Sequence, residues 1–209
     1  MLQFTRFSKS YNGRNILSID NLSMDQGIYF LNGINGAGKS TLLKCVTGFI
    51  NFQGDIFLNG INLRKNGISY RQLVNFGDAE PLFPDFLTGL EMIKIFEHAK
   101  DAPDGQTKEL IDSMELNAFI SDPIASYSSG MLKKLSLLLS FLGRPKLICL
   151  DEPMITLDRS SILKLSKLII DYNTNKGTSF IISSHQNLEG LDLDGYSIMN
   201  LVDGKITIS

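Results

Sequence analysis

The sequence predicts an α/β fold built on a mixed, largely parallel sheet, with an N-terminal antiparallel β part and an inserted helical part. Three observations carry that prediction. Apolar runs at Ile28 to Leu31, Leu147 to Leu150 and Phe180 to Ile182 each end in polar or glycine-rich residues, as strands covered on both faces do. Helical patterns alternate with them: Ser40 to Thr47, stopped by Gly48, and Asp158 to Tyr172, with Ile162, Leu165 and Ile169 on one face. Such alternation favours parallel strands. Asn59-Gly60 and Asp203-Gly204 each sit between apolar segments, and both dipeptides are signals for two-residue hairpin turns that add antiparallel structure.

From about Pro81 to Gly143 no strand pattern is visible. Instead Thr88-Gly89-Leu90-Glu91 reads as a capping box, with Leu87 and Met92 placed as its hydrophobic staple. The expected organisation is one domain over residues 1–209, in which about 1–80 and 144–209 form the core and about 81–143 form a helical subdomain. A chain of 209 residues with 43% apolar content can bury one such core. Lys+Arg 20 against Asp+Glu 22 gives a net charge of -2, without the basic bias of a phosphate-neutralising protein, so nucleic acid is not the expected partner. Cys45 and Cys149 lie in apolar contexts without CxxC spacing, which argues against a disulfide framework or metal site and for a reducing cytosol. The stretch Leu135 to Leu142 is interrupted by serine and far shorter than the roughly 20 residues that cross a bilayer. Met1 to Ser10 carries charges and no apolar signal core. By itself the chain is expected neither to span a membrane nor to be exported.

Gly33-Ile34-Asn35-Gly36-Ala37-Gly38-Lys39-Ser40 matches G-x-x-x-x-G-K-[ST], after an expected strand and before an expected helix. Its glycines let the backbone curl so that successive N–H groups point at phosphates, and the helix start adds its positive end. Asn35, Gly36, Ala37, Gly38, Lys39, Ser40 and Thr41 are the expected phosphate-binding residues, with Lys39 bridging β- and γ-phosphates and Ser40 binding Mg²⁺. The expected core is therefore a P-loop NTPase core, with ATP and Mg²⁺ as the expected ligands.

Leu147 to Leu150 runs into Asp151-Glu152. Two acids after an apolar strand often only solvate its end, but beside a phosphate loop they gain roles. Asp151 is expected to hold Mg²⁺, and Glu152 to polarise or deprotonate the attacking water. His185 follows Phe180 to Ile182 through two serines, so it falls at the same strand edge, where an imidazole can bond the γ-phosphate. His98, inside an expected helix, is read as a structural histidine.

Tyr127-Ser128-Ser129-Gly130-Met131, ahead of the helical run Leu132 to Leu142, resembles the signature motif of ABC ATPases, usually L-S-G-G-Q. Serines there also serve as ordinary N-caps. The motif order from Tyr11 to His185 resembles that family across nearly the whole chain. The resemblance implies that Tyr11 stacks on adenine, although a strand or core tyrosine is the alternative. It implies a D-loop role for Asp158, which equally suits a helix N-cap. It further implies that Ser128 and Gly130 of one subunit reach the γ-phosphate held by another, in a homodimer or a heterodimer with another ABC ATPase subunit. The implied activity is ATP hydrolysis driving a separate transmembrane permease, with the chain peripheral on the inner face of the cell membrane.

Several residues depart from the family pattern. Ser129 and Met131 replace the usual glycine and glutamine of the signature, and Asp78 stands nearest the position of the family's Q-loop glutamine. Asp78 can still meet Mg²⁺ or its water but cannot donate as an amide does. Tyr-Ser-Ser-Gly-Met and Leu-Thr-Gly-Leu-Glu are more similar to ATPases of ABC-2-type exporters than to those of nutrient importers. The competing readings are a soluble ABC ATPase serving DNA repair or ribosomes, a non-ABC P-loop GTPase or kinase, and a nucleotide-gated regulator with little turnover.

Overall fold

A computed structural model of the chain, describing residues 1–184, 191, 193 and 195–209, explains the uninterrupted apolar runs by two separate cores. A six-stranded sheet has the order β10-β9-β3-β8-β7-β6. Its strands are β3 (Ile28–Asn32), β6 (Val74–Gly77), β7 (Leu147–Asp151), β8 (Ser179–Ser183), β9 (Ser197–Val202) and β10 (Lys205–Ile208). All neighbours are parallel except β9 and β10. Side chains alternate across a strand with period two, and each face of this sheet meets a different apolar cluster. Ile148 and Leu150 of β7, with Phe180 and Ile182 of β8, pack into the cluster containing α5 (Ser129–Phe141) and α6 (Arg159–Lys176). Leu147, Cys149 and Ile181 point the other way, into the cluster containing α1 (Lys39–Val46) and the N-terminal sheet. Every residue of β7 and β8 is buried, and each large apolar side chain so buried contributes about 2 kcal/mol.

The N-terminal sheet is antiparallel, with β1 (Leu2–Tyr11), β2 (Arg14–Met24), β4 (Gln53–Leu58) and β5 (Ile61–Asn62) in the order β2-β1-β4-β5. Both expected hairpin dipeptides occupy the left-handed region, Asn59 and Gly60 at φ 49 and 80, Asp203 and Gly204 at φ 49 and 74, as this turn requires. Asn12-Gly13, at φ 48 and 78, makes a third hairpin of the same kind between β1 and β2, which the sequence reading passed over. β5 stops short of Leu63 because the Asn62 carbonyl oxygen of the side chain accepts from the amides of Arg64 and Lys65, at 2.9 and 3.0 Å, and bends the chain into a turn. α2 (Gly67–Leu73) and the edge strand β6 also escaped the sequence reading. β6 is only four residues long and contains a glycine, too little for a period to register.

Between β6 and β7 lie α3 (Gly89–Ala99), α4 (Gln106–Met114) and α5. Thr88 and Glu91 form the expected reciprocal cap, Thr88 N–H donating to the Glu91 carboxylate at 2.8 Å and Glu91 N–H to the Thr88 hydroxyl at 3.2 Å. Leu87 and Met92 pack in the same core. α5 starts at Ser129, earlier than its apolar stripe suggested, because Ser128 caps it. α6 runs beyond Tyr172 to Lys176 and stops where Gly177 turns left-handed at φ 65. Because β3, β6, β7 and β8 are parallel, their carboxyl ends share one edge, the edge at which ligands bind in such sheets.

Candidate nucleotide site

β3 delivers the chain into the loop of residues 33–38, and α1 leaves it. Gly38 is the N-cap of α1 at φ 102, a conformation L side chains resist; a Cβ there would also stand 3.1 Å from Ile16. With glycine as the cap, no side chain bonds the first-turn amides of α1, so the helix start can present them to an anion. The Lys39 ammonium folds back over the loop and donates to the carbonyls of Gly33 and Ile34 at 2.6 and 3.3 Å.

Across from the loop, β7 and β8 end side by side, with Asp151 paired in register with Ser183. The Ser183 hydroxyl donates to the buried Asp151 carboxylate. The Glu152 N–H donates to the carbonyl and hydroxyl oxygens of Ser183, each at 3.2 Å. Glu152 is itself left-handed at φ 45 and buried. A non-glycine residue held there stores about 1–2 kcal/mol of strain, as residues at functional sites often do. Tyr11, Ile16, Gly36, Gly38, Lys39, Ser40, Thr41, Asp151 and Glu152 line one pocket of about 300 Å³. A larger cleft of about 810 Å³ adjoins it at Ile16 and Gly36 and is lined by Asn35 and Ala37 among others. Tyr11, at the end of β1, is 46% exposed; the Lys9 ammonium lies 4.5 Å from its ring centroid, which leaves it a surface aromatic and not a core one. The candidate His185 lies outside the described residues.

Asp78 is placed differently from its sequence-based expectation. It follows β6 at the same sheet edge, but its carboxylate pairs with Lys44 of α1 at 3.2 Å and lines a neighbouring groove, not the pocket of Lys39 and Asp151. Here the ammonium of Lys44 engages the carboxylate expected to meet Mg²⁺ or its water. The backbone at Asp78 is held by a residue no motif pointed to. Lys133 of α5, only 1% exposed, donates to the carbonyls of Asp78, Ala79 and Asp151 at 2.9, 3.3 and 3.2 Å. Burial pulls its pKa down to about 8, against the opposing pull of Asp151, Asp78 and Glu152.

The signature segment faces solvent. Tyr127 is buried, its hydroxyl donating to the Phe119 carbonyl at 2.9 Å, while Ser128 and Ser129 are exposed. Ser128 accepts from Met131 N–H at 3.3 Å as the α5 cap. A Cβ on Gly130 would lie 3.1 Å from the Thr156 carbonyl, so this glycine lets the signature approach the loop before α6. Asp158 caps α6 by accepting from Ser161 N–H at 2.9 Å. That bond holds its carboxyl below the usual range, with Lys134 adding to the effect. Ser128, Gly130 and Asp158 are absent from the lining of the pocket that gathers Lys39, Ser40, Asp151 and Glu152. Ser183 and Lys133 are the site residues that sequence reasoning missed. Neither carried a local signal: Ser183 is a serine following an apolar run, and Lys133 stands beside Lys134 at the start of a helical run.

On the far side of Asp78, Phe49, Phe76, Leu82, Phe83, Met92 and Phe96 help line a groove of about 340 Å³ between α1, β6 and α3. Leu82 and the nearby Phe86 are large apolar side chains that are 95% and 84% exposed. No helix among the described residues is long and apolar enough to cross a membrane. Both cysteines are free and buried, and burial raises both thiols, Cys45 to about 12.

Residues 18–155 match the family model described as ABC transporter, and residues 122–192 match one described as an AAA domain, putative AbiEii toxin, Type IV TA system. The chain is 30% identical over 187 residues to the lantibiotic transport ATP-binding protein SrtF of Streptococcus pyogenes, covering 88% of this chain and 80% of the relative. It is 34% identical over 164 residues to the cytochrome c biogenesis ATP-binding export protein CcmA of Legionella pneumophila, covering 78% and 80%. Among solved structures, an ATP binding subunit of an ABC transporter superposes with TM-score 0.88 at 26% identity, covering 100% of this chain and 89% of that one. The ATP-binding cassette MJ0796, in a dimeric post-hydrolysis state bound to ADP and Pi, shares the fold with TM-score 0.84 at 20% identity, covering 100% and 98%.

Proposed function

The chain belongs to the ABC transporter family and is an ATP-binding ATPase subunit of that kind; from this premise we propose that it closes head to tail on ATP, with a second copy or another ABC ATPase subunit, to drive a separate membrane permease. The observation carrying the proposal is the split site. Lys39, Ser40, Asp151 and Glu152 share one pocket, while the Ser128-capped start of α5 is exposed and takes no part in it. One chain thus offers the phosphates a single helix start. A second subunit supplies another, expels water, and encloses the γ-phosphate between two sets of donors.

In this reading Asn35 to Thr41 cradle the phosphates, and Tyr11 supports the adenine by stacking. The Ser40 hydroxyl and the Asp151 carboxylate fit a hard, oxygen-seeking cation, and they are the residues that would hold Mg²⁺, which when bound neutralises phosphate charge. Ser183 orients the Asp151 carboxylate. Glu152 receives a proton from, or polarises, the attacking water. Ser128, Gly130 and Asp158 act across the interface in trans, and His185 is assigned to the γ-phosphate on sequence alone. Loss of phosphate removes the bridging charge and lets the dimer reopen.

Residues 81–143, as the helical subdomain, together with the apolar groove beside Asp78, form the permease-docking side, supported by the exposure of Leu82 and Phe86. The subunit then works at the inner face of the membrane through its partner. Similarity to a lantibiotic transport ATP-binding protein and to a cytochrome c biogenesis ATP-binding export protein supports an exporter. The test is affinity purification from membranes: the wild-type chain brings down a polytopic membrane protein, and Leu82→Asp with Phe86→Asp loses it while hydrolysing ATP at the wild-type basal rate. Recovery with ribosomes or DNA instead contradicts the proposal.

A further inference from the structure

Lys133 occupies a place on α5 that packing alone would give to an apolar residue. Its neighbours along the helix, Leu135, Ser136, Leu137 and Ser140, are buried and uncharged, and an ammonium is costly to bury unless its donors are matched. They are matched. An ammonium has three N–H donors, and the three acceptors within reach are backbone carbonyls from two segments far apart in sequence: Asp78 and Ala79 just beyond β6, and Asp151 at the end of β7. Lys44 of α1 holds the same β6 exit through the Asp78 carboxylate. The segment that borders the docking groove is thereby fastened to the phosphate-loop helix by one lysine and to the metal-side strand end by another.

We infer that Lys133 is a positioning residue for hydrolysis: it ties the β6 exit to the strand end carrying Asp151 and Glu152, so that movement of the docking side displaces those carboxylates relative to the phosphate pocket. The inference rests on the reading of Asp151 and Glu152 as the hydrolytic pair. It makes the backbone of Asp78, and not its carboxylate, the point through which this segment meets the site.

The experiment compares wild type, Lys133→Met and Lys133→Gln as purified full chains. It measures ATPase rate against ATP and Mg²⁺ concentration, and separately the affinity for a fluorescent ATP analogue in EDTA. Wild type that does not hydrolyse ATP defeats the ATPase reading itself, before any variant is compared. With wild type active, Lys133→Met is expected to bind the analogue within about twofold of wild type, lose about tenfold in kcat and need more Mg²⁺ for half-maximal rate. Wild-type kcat and Mg²⁺ dependence in the folded variant overturns the inference, as does a parallel loss of binding and rate, which general damage produces. If Lys133→Met does not fold, Lys133→Gln is judged by the same two outcomes. If neither folds, hydrogen exchange of residues 78–80 in wild type decides: slowing on Mg²⁺-ATP addition supports the tie, and unchanged exchange contradicts it.

Discussion

The two halves of the candidate site are built by opposite means. On the phosphate-loop side, residues 33–41 are contiguous and the chemistry is carried by backbone conformation: Gly38 at φ 102, uncapped first-turn amides, and a lysine bonded to its own loop at Gly33 and Ile34. On the β6-exit and signature side, side chains reach across long separations: Lys133 to Asp78 spans 55 residues, and Lys133 to Asp151 spans 18. A backbone-built site tolerates little change of residue type, because no other side chain restores the conformation. A side-chain-built one tolerates exchange, provided some donor still reaches its acceptors. The departures of this chain, Asp78, Ser129 and Met131, all fall on the tolerant side.

The largest effect expected from breaking that contrast is at Lys39. Lys39→Ala removes the ammonium that lies over the phosphate loop, and steady-state kinetics are expected to give a loss of at least about 100-fold in kcat/KM, the scale seen when one charge-stabilising donor is deleted. A residual rate within tenfold of wild type would mean that the loop is not the phosphate site.

On the tolerant side the effects should be small and can run upward. Ser129→Gly with Met131→Gln restores the usual signature, and a gain of a few-fold in kcat is expected, under about 1 kcal/mol. A large loss would show that the side chains at 129 and 131 are tuned to this chain.

The remaining effect is on stability and leaves turnover aside; it concerns the lysine beside the groove. Lys100 donates to the carbonyls of Arg71 and Val74, and burial, with Arg71 adding, holds its pKa down to about 8 against an ordinary 10.5. Below about pH 8 both folded and unfolded chains carry its proton. Between there and 10.5 the unfolded chain binds more protons, so this group's contribution to stability rises with pH. In denaturant titrations the stability difference of wild type over Lys100→Met should therefore grow from pH 8 to pH 10. A constant difference would place Lys100 in solvent.

What could be read from the sequence follows the same division. The strands of the two-sided sheet were legible because their apolar runs are continuous, and the loop because its residues are neighbours. The hairpins at Asn59 and Asp203 were legible from their dipeptides, while the identical signal at Asn12 was passed over because the flanking strands carry Ser8, Lys9, Arg14 and Asn15. β6 left no trace, since four residues cannot establish a period. Lys133 and Ser183 were invisible as site residues for another reason: each acts on a group at least 18 residues away, and nothing local in the sequence reports a partner that only folding brings near. Asp78 was placed at the right edge of the sheet, but its pairing with Lys44 depends on where α1 packs.

If one chain holds half of each ATP site, a subunit that binds ATP but cannot activate water should be caught as a closed pair. Glu152→Gln, measured by size-exclusion chromatography with light scattering, is predicted to be a dimer in Mg²⁺-ATP, a monomer in ADP, and inactive in hydrolysis. A Glu152→Gln chain that stays monomeric in ATP while hydrolysing it at the wild-type rate would contradict both the split site and the role given to Glu152.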